Sequence, residues 1–322
     1  MKEISVKSYA KINLSLDVLG ILPSGYHQVE MIMQQLDLHD VVTVRWTENP
    51  ELPGVEIRVE SNRADLPVSS ENLAYKAAER MAQELGKRGT VYIFLQKNIP
   101  VAAGLAGGSG NGAAVLHSLN ALWEAGLSVK ELCRIGLSLG ADVPFCIMGQ
   151  AKGNPQLGDA ISGDPLACTC AYAEGIGERL TPLPALPAYV LLSKPPLGVS
   201  TAEVYRGIDE ELGLEKPEDG EKLLVLQRHM DTKALIEGIK SHNYEKIIEI
   251  MANLLELFTI KQYPIIMYTK DKIVERGNAA KVLMSGSGPT VFALYFEEDK
   301  MNQDYEALCD VNEETYATKT LR

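Results

Sequence analysis

The sequence predicts an α+β fold from three observations. Runs of alternating apolar and polar residues mark half-buried strands, and stretches with apolar residues every three or four positions mark helices. The two kinds of segment follow one another irregularly rather than in strict βαβα alternation. At 322 residues the chain suffices for one large domain or two ordinary ones.

The first strand is the clearest. Ile4, Val6, Ala10, Ile12, Leu14, Leu16 and Val18 alternate with Lys7, Tyr9, Lys11, Asn13, Ser15 and Asp17. One face is therefore apolar and one polar, and Lys11 and Asn13 project from the same side. "DVVTVRW" and "GVEIRVES" read as further strands divided by the turn-rich "TENPELPG". "SSENLAYKAAERMAQELGK" is a helix with a Ser/Asn-rich start and Gly86 near its end. "TVYIFLQKNIP" returns as a strand, and "IPVAAGLAGGSGNGAAVLHSLNALW" (99–123) is a glycine loop followed by an amphipathic helix. "SVKELCRIGLSLGADVPFCIMG" gives a short helix, an Asp-containing turn and an apolar run. Residues 150–170 lack periodicity and read as a long loop. "AYVLLSKPPLGVSTAEVY" is a strand leading into a helix. The polar linker "GLEKPEDGE" is followed by a mostly helical pattern from Leu223 to about Phe258. "AAKVLMSGSGPTVFALYF" gives two buried strands joined by a glycine turn.

Composition narrows the function. Hydrophobic residues at 46% and charged residues at 23% indicate a folded globular chain. The net charge of −12 argues against nucleic acid or an anionic membrane surface as partner, though local positive charge can still hold a small anion. The N-terminal stretch lacks the apolar core of a signal peptide, and no apolar run is long enough to span a membrane. Five scattered cysteines suit reduced thiols in a cytoplasm, and the close pair Cys168 and Cys170 lacks a neighbouring His or third Cys to complete a metal site. No feature of the sequence points to an oligomeric state.

Five glycines fall between residues 104 and 112. Glycines ahead of a helix let a phosphate reach the backbone N–H groups at the positive end of the dipole. A flexible linker would run on into polar residues, whereas Ala113, Ala114, Leu116, Leu119, Leu122 and Trp123 follow here. A Walker A loop needs a lysine that is missing. "GSGNGA" fits the dinucleotide pattern G-x-G-x-x-G/A, but Pro100 and an apolar segment separate it from a preceding strand.

The pattern P-x-x-x-G-L-x-G-G-S at 100–109 resembles the ATP-phosphate loop of the GHMP kinase superfamily. "AKINLSLDVLGILPSGYHQVEMIMQQLDLHD" (10–40), "GADVPFC" (140–146), "GVSTAEVY" (198–205) and "SGSGPTVFA" (285–293) narrow the resemblance. They point to the branch that phosphorylates the 2-hydroxyl of 4-diphosphocytidyl-2-C-methyl-D-erythritol in the non-mevalonate isoprenoid pathway. The resemblance implies a two-domain fold with the active site in the cleft between the domains. The expected parts are a ribosomal S5 domain 2-like N-terminal ATP-binding domain (1–179) and a ferredoxin-like C-terminal domain (180–322). It also implies ATP as phosphoryl donor, with Mg²⁺ brought by the nucleotide because no carboxylate cage is visible.

Residue roles carry over in the same way. Pro100, Val101, Ala102, Ala103, Gly104, Leu105, Ala106, Gly107, Gly108, Ser109, Gly110 and Asn111 form the ATP loop. Lys11 supplies charge near the transferring phosphoryl group, and Asp142, held by Lys11, takes the acceptor proton. Tyr26 and Tyr205 sandwich the cytosine of the substrate's cytidine diphosphate group, and His27 reads its polar edge. Asn13 and Thr201 bind the erythritol or phosphate portion. Gly286, Ser287 and Gly288 form the superfamily's late glycine motif near the cleft.

Two departures from the family pattern stand out. The usual G-G-S-S-[DN]-A-A is here Gly107-Gly108-Ser109-Gly110-Asn111-Gly112-Ala113. Gly110 replaces a serine hydroxyl expected to hold phosphate or Mg²⁺, a loss of about 1.5–3 kcal/mol, so restoring serine should raise activity or Mg²⁺ affinity. Roughly twenty extra residues also separate "GADVPF" from Ala173–Glu178, an insertion that costs little closure entropy. Two other readings stay open at the level of sequence. One is a catalytically weakened nucleotide-binding or regulatory protein of the same fold, and the other is a kinase for a different small alcohol.

Overall fold

The computed structural model describes residues 1–216 and 227–322 and contains two compact units. The first comprises Met1–Ala10, Leu38–Val101 and Ala106–Thr169; the second comprises Lys11–Asp37, Ala102–Leu105 and Cys170–Arg322. They do not follow a single cut near residue 179, because strands β1 (Lys2–Ile21) and β2 (His27–Glu48) are long enough to contribute to both.

In the first unit the later half of β2 pairs antiparallel with β4 (Gly89–Gln96), from Val41 opposite Gln96 to Glu48 opposite Gly89. Strand β3 (Val55–Ser61) runs parallel to β4 on its other side. Helix α1 (Leu73–Leu85) begins where the Asn72 side chain accepts the Ala74 N–H, and it stops at Gly86 in the left-handed conformation. Helix α2 (Gly107–Leu122) follows β4. Helix α3 (Val129–Leu137) opens on a capping box made by Ser128 and Glu131. The apolar run after Asp142 is itself a helix, α4 (Val143–Gly153), with Pro144 in its first turn.

In the second unit β1 and β2 form a hairpin whose turn is closed by Leu22 N–H on Tyr26 O, and the early half of β2 pairs with β5 (Cys170–Gly175). Strand β6 (Arg179–Leu183) extends that pairing. A separate antiparallel sheet has the order β10-β7-β9-β8, from β7 (Tyr189–Lys194), β8 (Lys281–Met284), β9 (Val291–Tyr295) and β10 (Glu314–Lys319). Strand β9 is buried throughout. Helices α6 (Thr201–Leu212), α7 (Thr232–Lys240), α8 (Tyr244–Ile250), α9 (Glu256–Gln262), α10 (Pro264–Val274) and α11 (Glu298–Leu308) complete the unit. Among the described residues no helix is long and apolar enough to cross a membrane.

Several expectations change. The polar face of β1 is not solvated, since every residue from Ser8 to Ile21 is buried. Helix α2 begins at Gly107 rather than after the glycines, and it is buried on all sides from Gly110 to Asn120 rather than amphipathic. Residues 150–170 are not a structureless loop. Helix α4 runs to Gly153, a 3-10 turn covers Pro155–Leu157, and a one-turn helix α5 covers Asp159–Ser162. This segment docks on β1: Asn154 accepts the Lys7 N–H and donates to the Lys7 carbonyl, and the Tyr9 hydroxyl donates to Gly153 O. Side chains supply the backbone pairing that periodicity would have advertised. The helical stretch expected from Leu223 is seen as α7, α8 and α9, while residues 223–226 and part of the preceding linker lie outside the described residues.

Candidate active site

The glycine loop has the geometry of an anion site. Ala102, Gly104 and Ala106 carry φ values of 51°, 72° and 57°, a left-handed backbone at every second residue. Two of the three are not glycine, so the conformation is held at some cost. Alternation of this kind gathers peptide N–H groups around a concavity suited to phosphate. Helix α2 then starts with Ala106 as its N-cap and no side-chain cap. Gly110 N–H is the first to bond back, to Ala106 O at 2.8 Å. The N–H groups of Gly107, Gly108 and Ser109 thus lack intrahelical acceptors at the positive end of a 16-residue helix.

Packing also bears on three of the glycines here. A Cβ on Gly112 would press on Leu73 O of α1 at 3.3 Å, and one on Gly107 would lie 3.3 Å from Lys97 Nζ. Gly110 is buried, and a Cβ there would sit 2.5 Å from Ser8 Oγ of β1. A side chain at this position meets β1, not open solvent, which weighs against the expectation that serine at 110 would improve the site. Asn111 is only 3% exposed, and its side chain is occupied by Ser8, Asp40 and Lys97. Pro100 is buried and Val101 half-buried on the approach to the loop. Asp142 occupies the N-cap position of α4, half-buried, with no side-chain cap bond to its own helix.

The second unit assembles the other candidates. Lys11 is 5% exposed, and its Nζ donates to Asn13 Oδ1 at 2.6 Å across one pleat of β1. The Lys11 N–H bonds to Leu105 O, and Ser285 Oγ donates to Gly104 O. Gly104 must be glycine on two grounds, for its φ is 72° and a Cβ would fall 2.3 Å from Ser285 O. Gly286, also left-handed, covers the Lys11–Asn13 pair, and a Cβ there would be 3.6 Å from both polar atoms. Lys11 of "AKIN" is therefore met on its backbone by the first glycine loop and at its buried ammonium by Asn13 and the late glycine turn. Ala103 is buried in the same unit, and Gly288 is left-handed with φ 89°.

Helix α6 presents Thr201, Tyr205 and Asp209 at a spacing of four, hence on one face. Thr201 Oγ1 and Ser287 Oγ share a hydrogen bond of 3.0 Å, which ties α6 to the late glycine turn. The Tyr205 ring lies 4.6 Å from the His27 ring at 34°, and Asp209 Oδ1 is 2.7 Å from His27 Nε2. Tyr26 is 63% exposed. The ring facing Tyr205 here is His27 rather than Tyr26. Lys11 and Asp142 belong to different units.

Sequence reasoning missed Asn253 and Asp209. Asn253 is 5% exposed and donates to Met284 O and Gly286 O, both at 2.8 Å, while accepting Leu255 N–H. It fixes the late glycine turn beside β1, where Leu16 N–H bonds to Ala252 O. A lone Asn in "IMANLLE" gives no local signal of this. Asp209 was legible in principle as the residue one helical turn beyond Tyr205.

Comparison with known proteins identifies the family. The GHMP kinases N terminal domain matches residues 72–150, and the GHMP kinases C terminal domain matches residues 235–314. The 4-diphosphocytidyl-2-C-methyl-D-erythritol kinase of Alkaliphilus oremlandii is 42% identical, with 99% of this chain and 97% of the relative covered. The protein of the same name from Clostridioides difficile is 44% identical, covering 92% and 88%. A crystal structure of 4-(cytidine 5'-diphospho)-2C-methyl-D-erythritol kinase superposes with a TM-score of 0.74 at 29% identity, covering 98% of this chain and 99% of that one. The chain belongs to the 4-diphosphocytidyl-2-C-methyl-D-erythritol kinase family of the GHMP kinases.

Proposed function

We infer that the protein is an ATP-dependent kinase that phosphorylates the 2-hydroxyl of 4-diphosphocytidyl-2-C-methyl-D-erythritol in the methylerythritol phosphate route to isoprenoids. The observation that carries the reading is the buried Lys11 ammonium, bonded to Asn13 and covered by Gly286 of the late glycine turn, with the Lys11 N–H held by Leu105 O of the first glycine loop. The triphosphate of ATP lies against the N–H groups of Gly107, Gly108 and Ser109 and the left-handed loop before them. Asp142 accepts the proton of the acceptor hydroxyl as its oxygen bonds to the γ-phosphorus. The bond from that phosphorus to the β–γ bridging oxygen breaks, and ADP leaves. Lys11 offsets the negative charge that gathers on the transferring group, and burial strengthens its effect. Mg²⁺ supplies further neutralisation of the phosphates. Phosphate oxygens of the nucleotide and water would provide its ligands.

The cytosine end falls to His27, Tyr205 and the exposed Tyr26, which has room to close on a base; Thr201 and Asn13 take the polar remainder. Scattered cysteines in odd number support a reducing cytoplasm. The test is ADP release coupled to oxidation of NADH, with purified substrate, for wild type and Asp142→Asn. Wild type should release ADP only with substrate, and Asp142→Asn should lose about 10²–10⁴-fold in kcat. Substrate-independent ADP release, or an Asp142→Asn variant as fast as wild type, overturns the reading.

A further inference from the structure

The first unit contains a buried ionic cluster that the reaction does not use directly. Asp40, at the end of "LDLHD" in β2, is fully buried. Its Oδ1 accepts two backbone N–H groups, Asn98 at 2.7 Å and Ile99 at 2.8 Å. Its Oδ2 accepts the Asn111 side-chain amide at 2.9 Å and is bonded by Lys97 Nζ. Lys97 Nζ also donates to Asn111 Oδ1 at 2.9 Å, and Asn111 Nδ2 reaches Ser8 Oγ at 3.1 Å.

The positions of these partners matter. Asn98 and Ile99 immediately precede Pro100, the first residue of the glycine loop, and Asn111 lies in the second turn of the helix that ends it. One carboxylate therefore grips both ends of the loop. The strained backbone between, with left-handed residues at 102, 104 and 106, has no regular secondary structure of its own. Such a backbone persists only where its surroundings over-determine it. Lys97 neutralises the buried carboxylate and stands 3.3 Å from where a Gly107 side chain would begin, so it also sets how closely the loop can approach β4.

We propose that Asp40, with Lys97 and Asn111, is a positioning clamp that holds the phosphate-binding loop in its nucleotide-ready shape. The proposal rests on the reading of residues 100–111 as the ATP loop. Loosening the clamp misplaces the N–H groups of Gly107, Gly108 and Ser109 relative to one another. It should weaken nucleotide binding while leaving the alcohol acceptor's own contacts alone. A purely structural carboxylate would behave differently: its loss would lower the melting temperature without changing the nucleotide affinity of the molecules that stay folded.

The experiment uses the full chain with Asp40→Asn and Asp40→Glu, measuring Kd for ADP by titration calorimetry, KM for ATP and for the acceptor, and Tm. Asp40→Glu keeps the charge that Lys97 requires but lengthens the side chain, so it reads the clamp even if Asp40→Asn does not fold. Both folded variants should bind ADP about ten-fold or more weakly, with ATP KM raised in parallel and acceptor KM within about two-fold of wild type. Unchanged ADP affinity in the folded variants overturns the proposal. Ser109→Glu, which places a carboxylate at the mouth of the α2 N-terminus, tests the underlying reading separately. If it binds ADP as well as wild type, residues 100–111 are not the nucleotide loop. If it alone loses ADP while the Asp40 variants keep it, the loop stands and the clamp falls.

Discussion

Replacing Gly110 by alanine should destabilise the protein, although glycine inside a helix is ordinarily the weaker choice. The new Cβ would sit 2.5 Å from Ser8 Oγ, a distance real Cβ contacts do not tolerate, so the hydroxyl must rotate. Rotation gives up the bond from Asn111 Nδ2 at 3.1 Å. Overpacking costs about 1–3 kcal/mol and the lost bond about 1, against a helix-propensity gain of about 0.8–1. The net loss is about 1–3 kcal/mol. Removing the hydroxyl first should reverse the sign. With Ser8→Ala the nearest remaining atoms are Tyr9 O at 3.5 Å and Gln150 Nε2 at 3.7 Å, both ordinary contacts. Gly110→Ala in that background should then stabilise by about 0.5–1 kcal/mol. Urea unfolding of wild type, both single variants and the double variant closes the cycle, with a coupling energy of about 2 kcal/mol or more. A coupling energy below about 0.5 kcal/mol, or a Gly110→Ala single variant more stable than wild type, would refute the argument. The same geometry predicts that Gly110→Ser brings no gain in activity.

Three further outcomes are expected. His117 is fully buried with Nε2–H donating to Ile147 O, and burial depresses its pKa from 6.5 to about 4. The unfolded chain therefore binds the extra proton first: the His117 contribution is complete above pH 6.5 and is lost as pH falls toward 4. The loss is roughly 3 kcal/mol, and His117→Gln should flatten the acid limb of a Tm–pH curve across that window. Gly104→Ala must accept both a left-handed backbone and a Cβ 2.3 Å from Ser285 O, so it should cost more than about 3 kcal/mol in urea unfolding. Asn253→Ala orphans Met284 O and Gly286 O, and its urea midpoint should fall by the equivalent of about 2–4 kcal/mol.

Much of this was legible in the sequence where local chemistry and fold agree. Asn72 and Gly86 bound α1 as cap residues should, and the strand in "TVYIFLQKNIP" is β4, which starts one residue earlier and ends at Gln96. The loop motif located an uncapped helix N-terminus. What escaped depended on distant partners. Residues 150–170 show no periodicity because side chains such as Asn154, not a ladder, dock them on β1. The early half of β2 shows no clean alternation because it is buried on both faces from Val29 to Leu36. Asn253 and Asp40 look like any other polar residue until the carbonyls and amides they serve are brought to them from elsewhere in the chain.

Strand β1 explains why so polar an interior is stable enough to exist. Lys11, Asn13, Ser15 and Asp17 share one face, and all are at most 5% exposed. Burying such groups is unfavourable unless they find partners, and three of the four do, whereas Ser15 Oγ has none among the described residues. Lys11 has Asn13, and Asn13 also reaches the Met31 sulfur at 3.5 Å. Asp17 accepts the N–H groups of His229 and Met230 and contacts the His229 ring at 2.8 Å. On the opposite face Ile12, Leu14, Leu16 and Val18 are at most 2% exposed and supply the apolar burial that offsets the cost. Alternation along this strand therefore separates two kinds of interior, one that holds the fold and one that carries charge. In the proposed function, a solvated face would leave Lys11 in high dielectric, where its charge would do little for a transferring phosphoryl group. The Asn13 bond that makes the Lys11 burial tolerable is also the one that aims the ammonium, so in the proposed function stability and chemistry at this position rest on the same hydrogen bond.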